Sequence, residues 1–243
     1  MKKSTLFYIA FSALLACATL AISCLKGDDA EPMPSAGLTM INAFIESAPE
    51  GVLYEIDGRP VPSEFYPLAY RSYGYVNLFI GNSRELAVYA ARNQTRLVDT
   101  TFAAQDSVFY SSIVYGTADN PLHFMTEDHV PDGAADPNTI AGARFFNLAN
   151  TSHRVTLRIG NTDPIPAFQD RPTETPQSGE EGEAFVPVPT GTYELAVEDE
   201  DGEILATRGD IALEEGSYTS IFLTGADSIE GSYYIGVLRQ PVN

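Results

Sequence analysis

The chain has 243 residues, with 33 Asp+Glu against 14 Lys+Arg, a net charge of −19 and no Trp. A surface this acidic excludes recognition of a nucleic-acid backbone, which needs clustered Lys and Arg. Both cysteines, Cys17 and Cys24, lie at the start, so the rest of the chain can form no disulfide, Cys metal site or Cys nucleophile.

The N-terminus begins with Lys2 and Lys3, followed by an apolar run over 6–22, then Ser23-Cys24, then the acidic Asp28-Asp29. This order reads as a secretory signal ending in a lipid-attachment cysteine. Cys24 is the expected first mature residue and acylation site, with the small Ser23 before it and polar residues directly after it. Leu14-Leu15-Ala16-Cys17 is a second lipobox-like run, but cutting there leaves the apolar 18–22 as the mature start. An uncleaved membrane helix is the third alternative, and about 17 apolar residues is short for a bilayer span. Loss of the leader removes Lys2, Lys3 and no acid, so 12 Lys+Arg remain against 33 Asp+Glu, a net charge of −21. The expected location is the cell envelope, as an outer-membrane lipoprotein facing outward, with membrane contact only through the anchor.

Residues 24–37, with Pro32 and Pro34 among acids, read as the acylated start and an extended tether. From 38 onward, short apolar and aromatic runs alternate with Gly, Pro, Asn and Asp. The predicted strands are 38–44, 52–56, 73–80, 85–91, 97–102, 108–115 and 122–126. Residues 127–138 have linker composition, with the boundary at 130–138. Seven more strands follow at 143–149, 155–159, 185–188, 193–197, 204–208, 218–223 and 233–238. No long stretch shows helical periodicity. The pattern predicts an all-β protein of two tandem immunoglobulin-like or transthyretin-like β-sandwich domains, over 38–129 and 139–243.

The halves read as copies. Glu85-Leu86-Ala87-Val88 recurs as Glu194-Leu195-Ala196-Val197, and the same ungapped register sets Phe109 on Tyr218, Ser111 on Ser220 and Gly116 on Gly225. Met40-Ile41-Asn42 likewise matches Phe145-Phe146-Asn147. The predicted cores are Ile41, Leu78, Val88, Phe109 and Ile113 in the first copy, and Phe146, Leu157, Leu195, Val197 and Phe222 in the second. Each half is expected to own its core, with few contacts crossing.

The chain resembles the tandem β-sandwich domains of unknown function found in bacterial secreted proteins and surface lipoproteins. In the first copy the resemblance rests on Asn42-Ala43, Ala48-Pro49, Asp57-Gly58, Ala69-Tyr70-Arg71-Ser72-Tyr73-Gly74-Tyr75 and the strand from Phe109 to Tyr115 closing on Gly116. In the second it rests on Val188-Pro189-Thr190-Gly191-Thr192-Tyr193, Glu215-Gly216-Ser217-Tyr218-Thr219 and Gly225. The second copy lacks the Ala-Tyr-x-Ser-Tyr element and carries the polar insert 169–183 in its place, expected to be mobile. The resemblance implies a fold and transfers no catalytic residue.

Candidate chemistry is sparse. Glu198, Asp199 and Asp201 form a candidate weak cation site, although their spacing is wrong for an EF-hand and Asp201-Gly202 reads more simply as a hairpin turn. In the aromatic run Phe65, Tyr66, Tyr70, Tyr73 and Tyr75, the residues Tyr66, Tyr70 and Tyr73 form a candidate ligand surface for a protein or glycan partner. Ordinary sandwich packing is the competing reading. His123, His129 and His153 read as scattered surface or loop residues. There is no G-x-S-x-G elbow, Gly-rich phosphate loop or zinc-protease helix. The expectation is a non-catalytic binding, adhesive or structural module without cofactor. The alternative is a carbohydrate-binding accessory of an envelope polysaccharide-uptake system.

Overall fold

The computed structural model describes residues 33–61, 66–129 and 140–241. Cys24, the expected signal, most of the expected tether and the expected linker at 130–138 lie outside the described residues.

The architecture is all-β, as the alternating runs predict. In the first half, β1 (Ser35–Asn42), β4 (Ser72–Phe79), β7 (Phe109–Gly116) and β8 (Pro121–Glu127) form one sheet in the order β4-β1-β7-β8. It faces a sheet of β2 (Val52–Ile56), β3 (Arg59–Pro60), β5 (Gly81–Ala90) and β6 (Arg96–Ala104) in the order β3-β2-β5-β6. The second half repeats this plan. Its strands β9 (Ala141–Asn147), β11 (Val186–Val188), β14 (Tyr218–Thr224) and β15 (Tyr234–Gln240) are ordered β11-β9-β14-β15. They face β10 (Val155–Ile159), β12 (Gly191–Asp199) and β13 (Ile204–Leu213), ordered β10-β12-β13. The parallel pair β1–β7 has its counterpart in β9–β14, with Gly37 beside Phe109 and Gly142 beside Tyr218 in the two registers. A Cβ on either glycine would sit within 2.5 Å of the neighbouring ring, so both copies need the bare backbone there.

Asn42 and Asn147 do the same work in each copy. Asn42 Oδ1 accepts from Phe44 N–H and its Nδ2 donates to the Leu68 carbonyl. Asn147 Oδ1 accepts from Ala149 N–H and its Nδ2 donates to the Arg171 carbonyl. Leu68 and Arg171 in turn form matching bridges to Val52 and Val155. An asparagine supplies both donor and acceptor, so one buried side chain satisfies two backbone groups where the chain leaves the sheet.

The strands report how the sheets stack. β2 and β10 alternate between buried and half-buried, as strands covered on one face do. β9 and β14 are buried throughout, and β1 and β7 nearly so. One face of each belongs to its own sandwich. Leu38, Met40, Tyr54, Leu78, Leu86 and Val88 lie in the first core, and Phe145, Leu157, Leu195, Val197 and Ile221 in the second. The other faces meet in a third cluster containing Ile41, Ile113, Tyr115, Phe124, Phe146, Phe222 and Leu238. Phe124 of the first half and Phe146 of the second have ring centroids 5.2 Å apart. Few contacts were expected to cross, whereas this apolar seam joins the halves. Ile41, Ile113, Phe146 and Phe222 belong to the seam rather than to separate cores, and Phe109 is half-buried.

The seam has a polar heart. Arg144 and Asp128 are 1% and 0% exposed in their side chains, and Nη2 meets Oδ1 at 2.5 Å. Arg144 also donates to Ser220 Oγ at 2.8 Å and to the Glu183 carbonyl at 2.9 Å. Asp128 accepts from Ser111 Oγ at 2.6 Å and Thr126 Oγ1 at 3.0 Å, and Gln240 Nε2 donates to both Ser111 and Ser220.

The insert 169–183, expected to be mobile, is an ordered strap. It contains a short helix, α1 (Pro176–Glu181), closed by a capping box between Thr175 and Ser178. Glu174, 2% exposed, accepts from Arg171 and Ser178. The strap reaches across the seam: Tyr115 Oη donates to the Glu174 carbonyl, Glu127 N–H donates to Glu183, and Gly179 lies against the Phe124 ring. Most of its polar side chains face water, but Glu174 is buried and Thr173 donates to the Ala149 and Thr151 carbonyls, anchoring that composition could not reveal.

Candidate functional site

Across the seam from the strap, the equivalent position is open. The segment after Leu68 occupies in the first half the place that the strap occupies in the second, since Leu68 and Arg171 hold matching bridges and asparagine contacts. It forms no helix. Ser72 N–H donates to the Ala69 carbonyl, Arg71 N–H donates to the Asn42 carbonyl, and Arg71 adopts φ +62°. Left-handed backbone is uncommon for arginine, and here the two hydrogen bonds hold it. The turn sends the Arg71 side chain over the seam, where Nε donates to Thr224 Oγ1 at 3.3 Å and Nη2 donates to the Ser232 carbonyl.

Beneath lies a cleft of about 160 Å³. Its floor is the exposed end of the seam: Ile41, Ala43, Phe222 and Leu238. Its rim carries Arg71, Tyr73, Arg208 and Tyr234. The opening exists because of Gly236. In the β7–β8 pairing Ile113 faces Phe124, and in the β14–β15 pairing the equivalent Phe222 faces Gly236. A ring fills one side of the seam and bare backbone leaves the other empty.

The rim is cationic and aromatic. The guanidinium carbon of Arg71 lies 4.7 Å from the centroid of Tyr234 and 4.8 Å from that of Tyr70, and that of Arg208 lies 5.5 Å from Tyr234. Arg208 Nη1 donates to Tyr234 Oη at 3.1 Å and to the Ile235 carbonyl at 2.8 Å. Beside the cleft, edge strand β4 turns Tyr73, Tyr75 and Phe79 outward, at 52%, 45% and 66% exposure. Its alternate residues Gly74 and Leu78 are buried, so the pleat lines the three rings along one face. Partial burial lifts the Tyr75 phenol above its ordinary pKa.

Of the predicted ligand surface, Tyr73 lines the cleft, Tyr66 is exposed at 47%, and Tyr70 is half-buried under Arg71. Arg208, Tyr234 and Gly236 were missed, and Arg71 was noted only as part of a fold motif. Gly236 inside a strand run was the available signal, because a strand glycine often marks a close approach.

The candidate cation site does not assemble. Glu198 is paired with Arg158 at 2.5 Å, and Asp199 Oδ1 accepts from Asp201 N–H and Glu203 N–H, closing the β12–β13 turn with Gly202 at φ +82°. Among the described residues no group of three His, Cys, Asp or Glu side chains is placed to hold a metal ion. Nor are all the histidines scattered at the surface. His123 lies on β8 with Nε2 2.9 Å from Ser112 Oγ, and burial lowers its pKa to about 4.

No protein-family model matches the chain, and no curated protein matches it. Among solved structures it is similar to the carbohydrate-binding module CBMbc, of family CBM26, from Eubacterium rectale Amy13K in complex with maltoheptaose. Identity is 10%, the TM-score is 0.27, and the alignment covers 85% of this chain and 97% of that one. At that level the likeness bears on neither the site nor its ligand.

Proposed function

We propose that the protein is a non-catalytic binding module, held at the outer face of the cell envelope by a lipid on Cys24, and that the seam cleft with the outer face of β4 is its binding face. The observation that carries this reading is the unfilled cleft. The molecule closes one end of its apolar seam with its own strap and leaves the equivalent end open beside three exposed rings. Exposed aromatic rings in a row suit a partner with extended flat apolar faces, and a glycan chain has them. A folded protein partner is the competing occupant.

The test is a glycan array read with the body from 34 onward. Gly236→Leu is the decisive variant. A Cβ at 236 finds its nearest neighbour, Phe222, at an ordinary 3.5 Å, so a Cβ fits there, and an unchanged circular dichroism spectrum and melting temperature of Gly236→Leu should accompany any loss of binding. Binding that Gly236→Leu and Tyr73→Ala both abolish supports the reading. Binding indifferent to both places the face elsewhere. The anchor is tested separately: Cys24→Ala should abolish acyl labelling and release the protein from membranes, and labelling that survives there but fails in Cys17→Ala moves the cleavage site.

A further inference from the structure

Resting on that reading of the cleft, we infer that its ligand carries an oxyanion, a carboxylate or a sulfate ester on a saccharide, clamped by Arg71 and Arg208. The described residues include eleven arginines and no lysine. Seven of them, including Arg84, Arg144 and Arg171, are paired with carboxylates. With acids in large excess over the whole chain, pairing is what an arginine should find. Arg59, Arg71, Arg92 and Arg208 have no carboxylate partner among the described residues, and of these four Arg71 and Arg208 converge on the ring of Tyr234.

Two like charges gathered on one ring repel each other, and stacking on the tyrosine offsets only part of that. No Asp or Glu lines the cleft to neutralise them. Their hydrogen bonds also leave donors over. Arg71 uses Nε and Nη2 and Arg208 uses Nη1, so Nη1 of the first and Nε and Nη2 of the second have no acceptor among the described residues. Three charged donors beside an apolar floor fit an oxyanion attached to a body with an apolar face. The guanidinium groups are held in place before any ligand arrives, Arg71 by its turn and its bond to Ser232, Arg208 by the Ile235 carbonyl. In a strongly acidic protein two unneutralised guanidinium groups side by side attract an anionic chain, so charge would also orient it.

The experiment measures binding of the lipid-free body to polygalacturonate, dextran sulfate and neutral dextran, beside Arg Nε–Hε spectra recorded during titration with galacturonate and with inorganic sulfate. The expected result is binding to a charged polymer at least roughly tenfold tighter than to dextran, weakening as salt rises. Preference for polygalacturonate identifies the carboxylate, and preference for dextran sulfate the sulfate ester. Arg208→Gln should lose the preference, Arg208→Lys should keep part of it, and Arg59→Gln, an exposed β3 arginine outside the cleft, should keep all of it. In the spectra the Arg71 and Arg208 signals should move with the anion and that of Arg59 should not. Equal affinity for charged and neutral polymers, or a preference that survives Arg208→Gln and Arg71→Gln, overturns the clamp and leaves the binding module standing. Failure to bind any polymer sinks the glycan reading. The spectra then judge the clamp alone, and unmoved Arg71 and Arg208 signals overturn it.

Discussion

Replacing Asp128 by Ala would leave Arg144 charged, buried and without its counter-ion. The side chains of the two residues are 1% and 0% exposed, so water cannot take over the missing role. Arg144 would keep the Ser220 hydroxyl and the Glu183 carbonyl, both neutral acceptors. Thr126 and Ser111 would lose the oxygens they donate to at 3.0 and 2.6 Å. Breaking a buried pair from one side costs about 3–5 kcal/mol, a large part of the roughly 5–15 kcal/mol that holds a domain folded. Removing both charges is a different perturbation. Arg144→Met with Asp128→Leu fills the same volume with apolar atoms and should return to within about 2 kcal/mol of the parent. Urea unfolding at fixed pH and ionic strength, followed by far-ultraviolet circular dichroism and tyrosine fluorescence, gives both values. Because the pair ties the halves together, the two probes should report one transition with an unchanged slope. A loss below about 1 kcal/mol in Asp128→Ala, or a double variant as unstable as the single one, would refute the argument.

Phe146→Ala removes the ring between Phe124 and Phe222 and should cost about 3–5 kcal/mol, lowering one shared melting transition; separate melting of the two halves would count against a common seam. His123 has a folded pKa of about 4 against an ordinary value of 6.5, so the unfolded chain takes up its proton first as pH falls. Its contribution is whole above pH 6.5 and lost as pH drops to about 4, worth up to about 3 kcal/mol, and His123→Leu should flatten the stability profile in that window by this amount. Gly179→Ala would put a Cβ 2.5 Å from the Phe124 ring, so about 1–3 kcal/mol of stability should go, with faster proteolysis of the strap; a neutral result would mean that the strap is not seated on that ring.

The strands were legible because the sequence alternates and because turn residues punctuate it. The Asp201-Gly202 hairpin, for example, sits where its turn chemistry placed it. The copy relation was legible from Glu85–Val88 and Glu194–Val197, and both segments lie on matching strands, β5 and β12. What periodicity could not separate was the destination of the two faces of β1, β7, β9 and β14. A strand buried on both sides reads as one apolar run, and nothing local says which face meets its own sandwich and which meets the other. The strap was hidden for the opposite reason. Its composition looks solvated throughout, yet the Glu174 carboxylate and Glu183 carbonyl, engaged by Asn147 and Arg144 far away in sequence, help to seat it. The cleft depends on Arg71, Arg208, Tyr234 and Gly236, which no spacing rule connects because only the seam brings them together.

The seam is built by equivalent positions from both copies: Ile41 and Phe146, Ala43 and Leu148, Ile113 and Phe222. Ser111 and Ser220, also equivalent, are joined through one glutamine. Such self-complementarity is the mark of an isologous contact between identical subunits. Carried in one chain, two such faces meet at fixed equal stoichiometry and at high effective concentration. The two faces are nonetheless not identical. Asp128 and Gln240 hold corresponding places at the ends of β8 and β15, and Arg144, the only buried arginine among the described residues, stands on one side, equivalent to Thr39 in the repeat. That asymmetry places a cation on one sandwich and its counter-ion on the other, so each half meets its complement across the seam. The two ends of the contact differ as well, one capped by the strap and the other left as an open cleft.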